Sequence, residues 1–229
     1  MSALSFVNTR RFLIAGAGIA ALSFVGTAQA DLPEFMMRWD ASADGEDALW
    51  YNPADHGDAW DNGDGTFTYD GGLTNQLWAM DWLVTVDPDP LVDAQIGVTN
   101  TADTFQTFSL LMTLPVDAII NATINGSSSA TVTNEFSTTE GAILRALTGS
   151  SIYKAFIDDP NGSGTPVATL MDDPFSLETD PIPFDTRSAT ESFGPEAYGD
   201  IASSIEVMIE FELSPGDSAS VNVFFQAIP

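Results

Sequence analysis

Ile205-Glu206-Val207-Met208-Ile209-Glu210-Phe211-Glu212-Leu213 alternates strictly between apolar and other residues. Carboxylates at 206, 210 and 212 have no helical period of 3.6, but they fit a period of two. The stretch therefore predicts a half-buried antiparallel strand, with Ile205, Val207, Ile209, Phe211 and Leu213 lining a core and Glu206, Glu210 and Glu212 facing water. Ser214-Pro215-Gly216-Asp217 follows as a turn, since Pro215 presets φ and Gly216 adopts positive φ without strain. A second strand, Ala219 to Gln226, then predicts a C-terminal hairpin.

Working outward, similar runs predict strands over 66–69, 77–86, 94–99, 105–114 and 118–124. Their separators are Gly71-Gly72, Asp87-Pro88-Asp89-Pro90, Thr101-Ala102-Asp103 and Asn125-Gly126-Ser127. Short β-rich runs at this spacing point to an all-β chain folded as a single antiparallel β-sandwich of jelly-roll type over residues 31–229. Helix is expected at most once or twice, over Thr139 to Leu147 and on toward Phe156, where Glu140, Ala142, Leu144 and Leu147 carry fair helix propensity. Prolines and glycines from Asp158 to Pro195 predict a long irregular connection, with short strands at 166–170 and 188–193.

At the other end, Arg10-Arg11 precedes an apolar run, Phe12 to Val25, that closes on Ala28-Gln29-Ala30. This has the layout of a cleavable signal peptide, residues 1–30, cut after Ala30. The run is shorter than the roughly 20 residues a membrane-spanning helix needs. General secretion and the twin-arginine route both accept this pattern. A secreted protein, periplasmic or extracellular and without a transmembrane anchor, is the expectation.

Beyond Ala30 the chain has 33 acidic residues against four basic ones, Arg38, Arg145, Lys154 and Arg187, for a net charge of −29. A polyanion is repelled by such a field, so no nucleic-acid partner is expected. Clustered carboxylates with few bases point to solubility in a saline medium or to divalent cations. There is no cysteine, so stability must come from the core.

Several landmarks then line up in order. They are Trp78, Asp87-Pro88-Asp89-Pro90, Val98-Thr99-Asn100-Thr101, Phe105-Gln106-Thr107-Phe108, Leu114-Pro115-Val116, Ile152-Tyr153-Lys154-Ala155, Phe193-Gly194 and Leu213 to Ser220. The order resembles that of exported bacterial β-rich proteins of the PEP-CTERM-associated type. The resemblance covers about Trp78 to Pro229, implies a surface or secreted protein of unassigned function, and transfers no catalytic residue. The sequence ends at Ala227-Ile228-Pro229 without the sorting tail, so release is expected in place of surface sorting.

Two constellations carry candidate chemistry. All five tryptophans lie between positions 39 and 82. Parity within one strand assigns Trp78 and Trp82 to the core, whereas Trp50, Tyr51 and Trp60 fall in an Asp- and Gly-rich stretch where exposed rings could stack on sugars. Asp55, Asp58, Asp61 and Asp64 form an acidic run that could hold Ca2+ weakly. It is no EF-hand loop, because aligning Asp64-Gly65 with positions five and six puts Trp60 at the first ligand position. One histidine, His56, no thiol and no nucleophile elbow leave no catalytic residue to name. The function expected is a secreted structural or interaction protein of the envelope or extracellular matrix, without catalysis. The alternative is a carbohydrate-binding module using Trp50, Tyr51 and Trp60, and either version has extracellular polysaccharide or self-association as its partner.

Overall fold

The computed structural model describes residues 32–42, 49–137, 139–158 and 166–229. The expected signal segment, residues 1–30, and its expected cleavage site lie outside the described residues. In chain order the strands are β1 (Met36–Ala41), β2 (Leu49–Tyr51), β3 (Gly57–Asp61), β4 (Phe67–Thr74), β5 (Trp78–Asp87), β6 (Leu91–Asn100), β7 (Gln106–Pro115) and β8 (Ile119–Thr133). They continue as β9 (Ile143–Arg145), β10 (Ser151–Ile157), β11 (Ala168–Asp172), β12 (Ser176–Glu178), β13 (Thr186–Ile201), β14 (Ser204–Leu213) and β15 (Ser218–Ile228). A single 3-10 turn, Pro53–His56, is the one helical element among the described residues.

Two antiparallel sheets form a β-sandwich, as the alternation predicts. The first runs β11-β10-β14-β7-β1-β2, with β9 beside β14 and β12 beside β9; the second runs β13-β8-β15-β6-β5-β4-β3. Ile205, Val207, Ile209, Phe211 and Leu213 are all buried between the sheets. An aromatic line joins the layers, with Trp39 stacked on Phe108 at 5.6 Å, Phe108 against Phe211 at 5.8 Å, and Trp39 against Trp78 of the second sheet at 5.3 Å.

The predicted C-terminal hairpin is not one. β14 pairs with β7 and β10 in the first sheet, while β15 pairs with β6 and β8 in the second. The Ser214–Asp217 turn, with Gly216 at φ 75°, therefore carries the chain across the core. Both strands have a fully apolar inner face, and each buries it by facing the other sheet. Asn100 fastens this crossing. It is fully buried, its amide nitrogen reaches the carbonyls of Thr104, Leu213 and Ser214 at 2.9–3.1 Å, and its side-chain oxygen accepts from the Ala102 amide.

Four more expectations are corrected. No helix spans 139–147 or 152–156, which instead contain β9 and β10. β10 is buried at six of its seven positions, so it shows no alternation to read. The expected irregular connection holds β13, the longest strand, and the turn expected at Asn125-Gly126-Ser127 lies inside β8. Gly126 is there for close approach, since a Cβ would come within 2.5 Å of the Phe193 ring. Glu206, expected in water, is fully buried on the outward side of β14 beside Phe156, where the Thr113 hydroxyl donates to its Oε1 at 2.6 Å.

Candidate functional site

Strand register places the predicted aromatics apart. Trp50 lies opposite Arg38 on the outward face of the first sheet and is 41% exposed. Tyr51, the next residue, points inward opposite Met37 and is only 5% exposed. Its ring meets Trp82 at 5.6 Å and the edge of His56 at 5.3 Å, and burial pushes its hydroxyl pKa up. Tyr51 is thus core, not a stacking surface. Trp60, 40% exposed, stands opposite Thr68 on the outward face of the second sheet. The two exposed indoles belong to different sheets, so the three residues do not make one platform.

The acidic run is likewise spread out. Asp55 sits in the 3-10 turn and Asp58 faces Asp70 across the β3–β4 pair. Asp61 Oδ1 accepts from the Gly63 amide at 2.7 Å. Asp64 Oδ1 accepts from the Thr66 hydroxyl at 2.7 Å and the Thr66 amide at 3.1 Å, and these bonds hold its carboxyl below the usual carboxylate range. The last two carboxylates are occupied in shaping the hairpin. Among the described residues, no three His, Asp or Glu side chains converge as a metal group.

A different constellation appears on the outward face of the first sheet. β1 alternates, with Met37, Trp39 and Ala41 inward and Met36, Arg38 and Asp40 outward. Across β1, β7 and β14 the register lines up Arg38 with Leu111 and Met208, and Asp40 with Ser109 and Glu210. These six residues, with Ser42 and Thr107, line a shallow cleft of about 270 Å³. The Arg38 guanidinium, part of that lining, sits 5.8 Å from the centre of the ring of Trp50 on the neighbouring strand β2. Lys154 binds Glu210 at 2.9 Å, and the Ser150 hydroxyl donates to the same carboxylate at 2.8 Å.

Three of the four bases beyond residue 30, Arg38, Arg145 and Lys154, stand on this face. Arg145 pairs with Glu212 at 2.6 Å, whereas no carboxylate lies within ion-pair distance of Arg38 among the described residues. The opposite outward face, on the second sheet, is mostly hydroxyl-bearing, with Thr68, Thr85, Thr99, Ser129, Thr131 and Ser220 across its strands. Sequence reasoning missed Arg38 and Asp40 because Met36–Ala41 was not read as a strand. The legible signal was the period-two pattern Met37-Trp39-Ala41 against Arg38-Asp40, together with the scarcity of bases.

No protein-family model matches the chain, and no curated protein matches it. Among the described residues no helix is long and apolar enough to cross a membrane. Chemically, the cleft offers a guanidinium plane, with the Trp50 indole beside it on the neighbouring strand, and carboxylate and hydroxyl groups able to bond a ligand rich in hydroxyls.

Proposed function

We propose that this chain is an exported, non-catalytic interaction protein of the envelope or extracellular matrix that binds a neutral polysaccharide at the cleft on its first sheet. The observation that carries the reading is the Arg38–Trp50 pair, whose guanidinium lines a cleft together with Asp40, Ser109 and Glu210. Apolar faces of sugar rings stack on such planes, and their hydroxyls bond to carboxylates and hydroxyls. A neutral glycan suits the charge, because a net of −27 repels polyanions at long range. The export-signal layout and the resemblance to PEP-CTERM-associated proteins support the address.

Affinity electrophoresis in gels containing neutral glucans, xylans or mannans tests the function. Retardation by at least one polymer is expected, with Trp50→Ala and Arg38→Ala each weakening it about tenfold or more, as for loss of a stacking contact. Trp60→Ala, on the other sheet, leaves retardation unchanged. Binding that survives Trp50→Ala, or no retardation by any neutral polymer, overturns the proposal.

A further inference from the structure

Five strands end the two sheets: β2, β11 and β12 in the first, β3 and β13 in the second. An exposed edge is a row of unpaired donors and acceptors, and each of four edges is short or guarded. β2 and β12 have three residues each, and β3 has five, two of them the exposed Asp58 and Asp61. On β11, the Met171 amide is taken by the Glu191 carboxylate, through Oε2 at 2.6 Å. β13 is the exception, at 16 residues.

Its two halves differ. From Thr186 to Phe193 it pairs with Thr133 to Gly126 residue for residue, without a bulge, while register shifts begin after Phe193. The regular half reads Thr-Arg-Ser-Ala-Thr-Glu-Ser-Phe. Its only charges, Arg187 and Glu191, are of opposite sign and lie two residues either side of Ala189. The segment is locally neutral in a chain of net charge −27, so two copies meeting here have no local repulsion to overcome.

That symmetry makes the segment complementary to itself. In an antiparallel pair centred on Ala189, Ala189 meets its counterpart, Ser188 meets Thr190, and Arg187 of each copy meets Glu191 of the other. Residues directly opposite share a face, and opposite charges there are favourable. Small Ser, Thr and Ala side chains let the backbones close to ladder distance. Within one chain Arg187 reaches Asp180 at 3.0 Å and Asp185 at 3.3 Å, exposed pairs that compete weakly. Glu191 keeps Oε1 for the second copy.

We propose that the protein forms a two-fold dimer by antiparallel pairing of Thr186–Ser192 with the same segment of a second copy, joining the two second sheets into one continuous sheet. Such an isologous contact closes on itself and so ends at two copies.

Sedimentation velocity of the exported protein at about 0.15 M salt, where screening acts over about 8 Å, tests this. The expected result is twice the monomer mass for the wild type. Arg187→Glu alone and Glu191→Arg alone each place like charges opposite one another and should run as monomers. Mixing the two single variants restores the dimer as a heterodimer, and the double variant Arg187→Glu/Glu191→Arg restores it as a homodimer. Melting curves confirm that each variant is folded; should Glu191→Arg not fold, the Arg187→Glu and Glu191→Asp chains take its place, the latter weakening the dimer. Monomeric wild type at concentrations up to about 100 µM, a range that would still reveal weak association, overturns the proposal. So does a dimer indifferent to Arg187→Glu, or mixed folded variants that fail to associate.

Discussion

At the scale of single residues, the buried amide of Asn100 and the exposed carboxylate of Asp158 do comparable structural tasks under different electrostatic conditions. Asn100→Ala leaves the carbonyls of Leu213 and Ser214 and the Ala102 amide without that partner in a site closed to water. A loss of about 2–4 kcal/mol is expected, read as a lower urea midpoint. Asp158 accepts from the amides of Ala202 and Ser203 at 2.6 Å and of Ser204 at 3.2 Å. Desolvation opposes its ionisation, but these bonds outweigh it and hold the carboxyl below its ordinary value. A depressed carboxyl stabilises the fold above its unfolded pKa of about 3.9 and loses that contribution as the pH falls through the folded value. Asp158→Ala should therefore lower the melting temperature by a few degrees at pH 7, on the order of 1 kcal/mol for a cap-like carboxylate, and the gap to wild type should close below about pH 4. Site residues were half legible at this scale. Trp50 and Tyr51 are neighbours of like composition, and only the register of β1 against β2 tells that one faces out and the other in.

For whole elements, alternation was a reliable guide where one face of a strand meets water. β14 has that pattern, and Phe211→Ala there should cost about 3–5 kcal/mol by opening a cavity beside Phe108 in the aromatic line. Alternation is silent where both faces are covered, as in β10, whose Tyr153, Ala155 and Ile157 pair with Ile209, Val207 and Ile205 while Phe156 is buried on the other side. Helix propensity over 139–147 lost to tertiary bonds. The Ala142 amide donates to the Thr179 hydroxyl at 2.8 Å and the Ile143 amide to the Ser214 hydroxyl at 2.7 Å. Nine residues are also too few to nucleate a stable helix unaided. β13 was legible only as a short strand over 188–193, for another reason: an edge strand exposed on most of its length has no apolar face to mark its full extent.

On the scale of the molecule, charge and burial set an acid-side optimum. Burial raises the carboxyls of Asp93 and Asp217, the latter further disturbed by the nearby Glu135 charge although the Ser214 hydroxyl opposes the shift. A raised carboxyl binds its proton in the folded state first, so lowering the pH through that value favours folding. Shedding part of the −27 charge acts in the same direction. The depressed Asp64 and Asp158 act oppositely, near and below pH 4. Melting temperature should thus rise from pH 8 to a maximum at about pH 4–5 and then fall; a flat or monotonic profile would show that burial at Asp93 and Asp217 is not felt. The two-sheet architecture was legible from turn spacing, but the assignment of β14 and β15 to separate sheets was not, since a turn sequence does not say whether the chain returns beside itself or crosses the core. That crossing has a consequence for how the molecule is made. β14 joins β10, β7 and the β9–β12 pair, and β15 separates β8 from β6, so the first sheet remains in three pieces and the second in two until β14 and β15 arrive. A nascent chain emerging from the ribosome can complete neither layer early, and one stopped before Ser204 should show no cooperative melt at all. The fold is thus withheld until β14 and β15 have both been made, so the first 203 residues carry strands that have no complete layer to join.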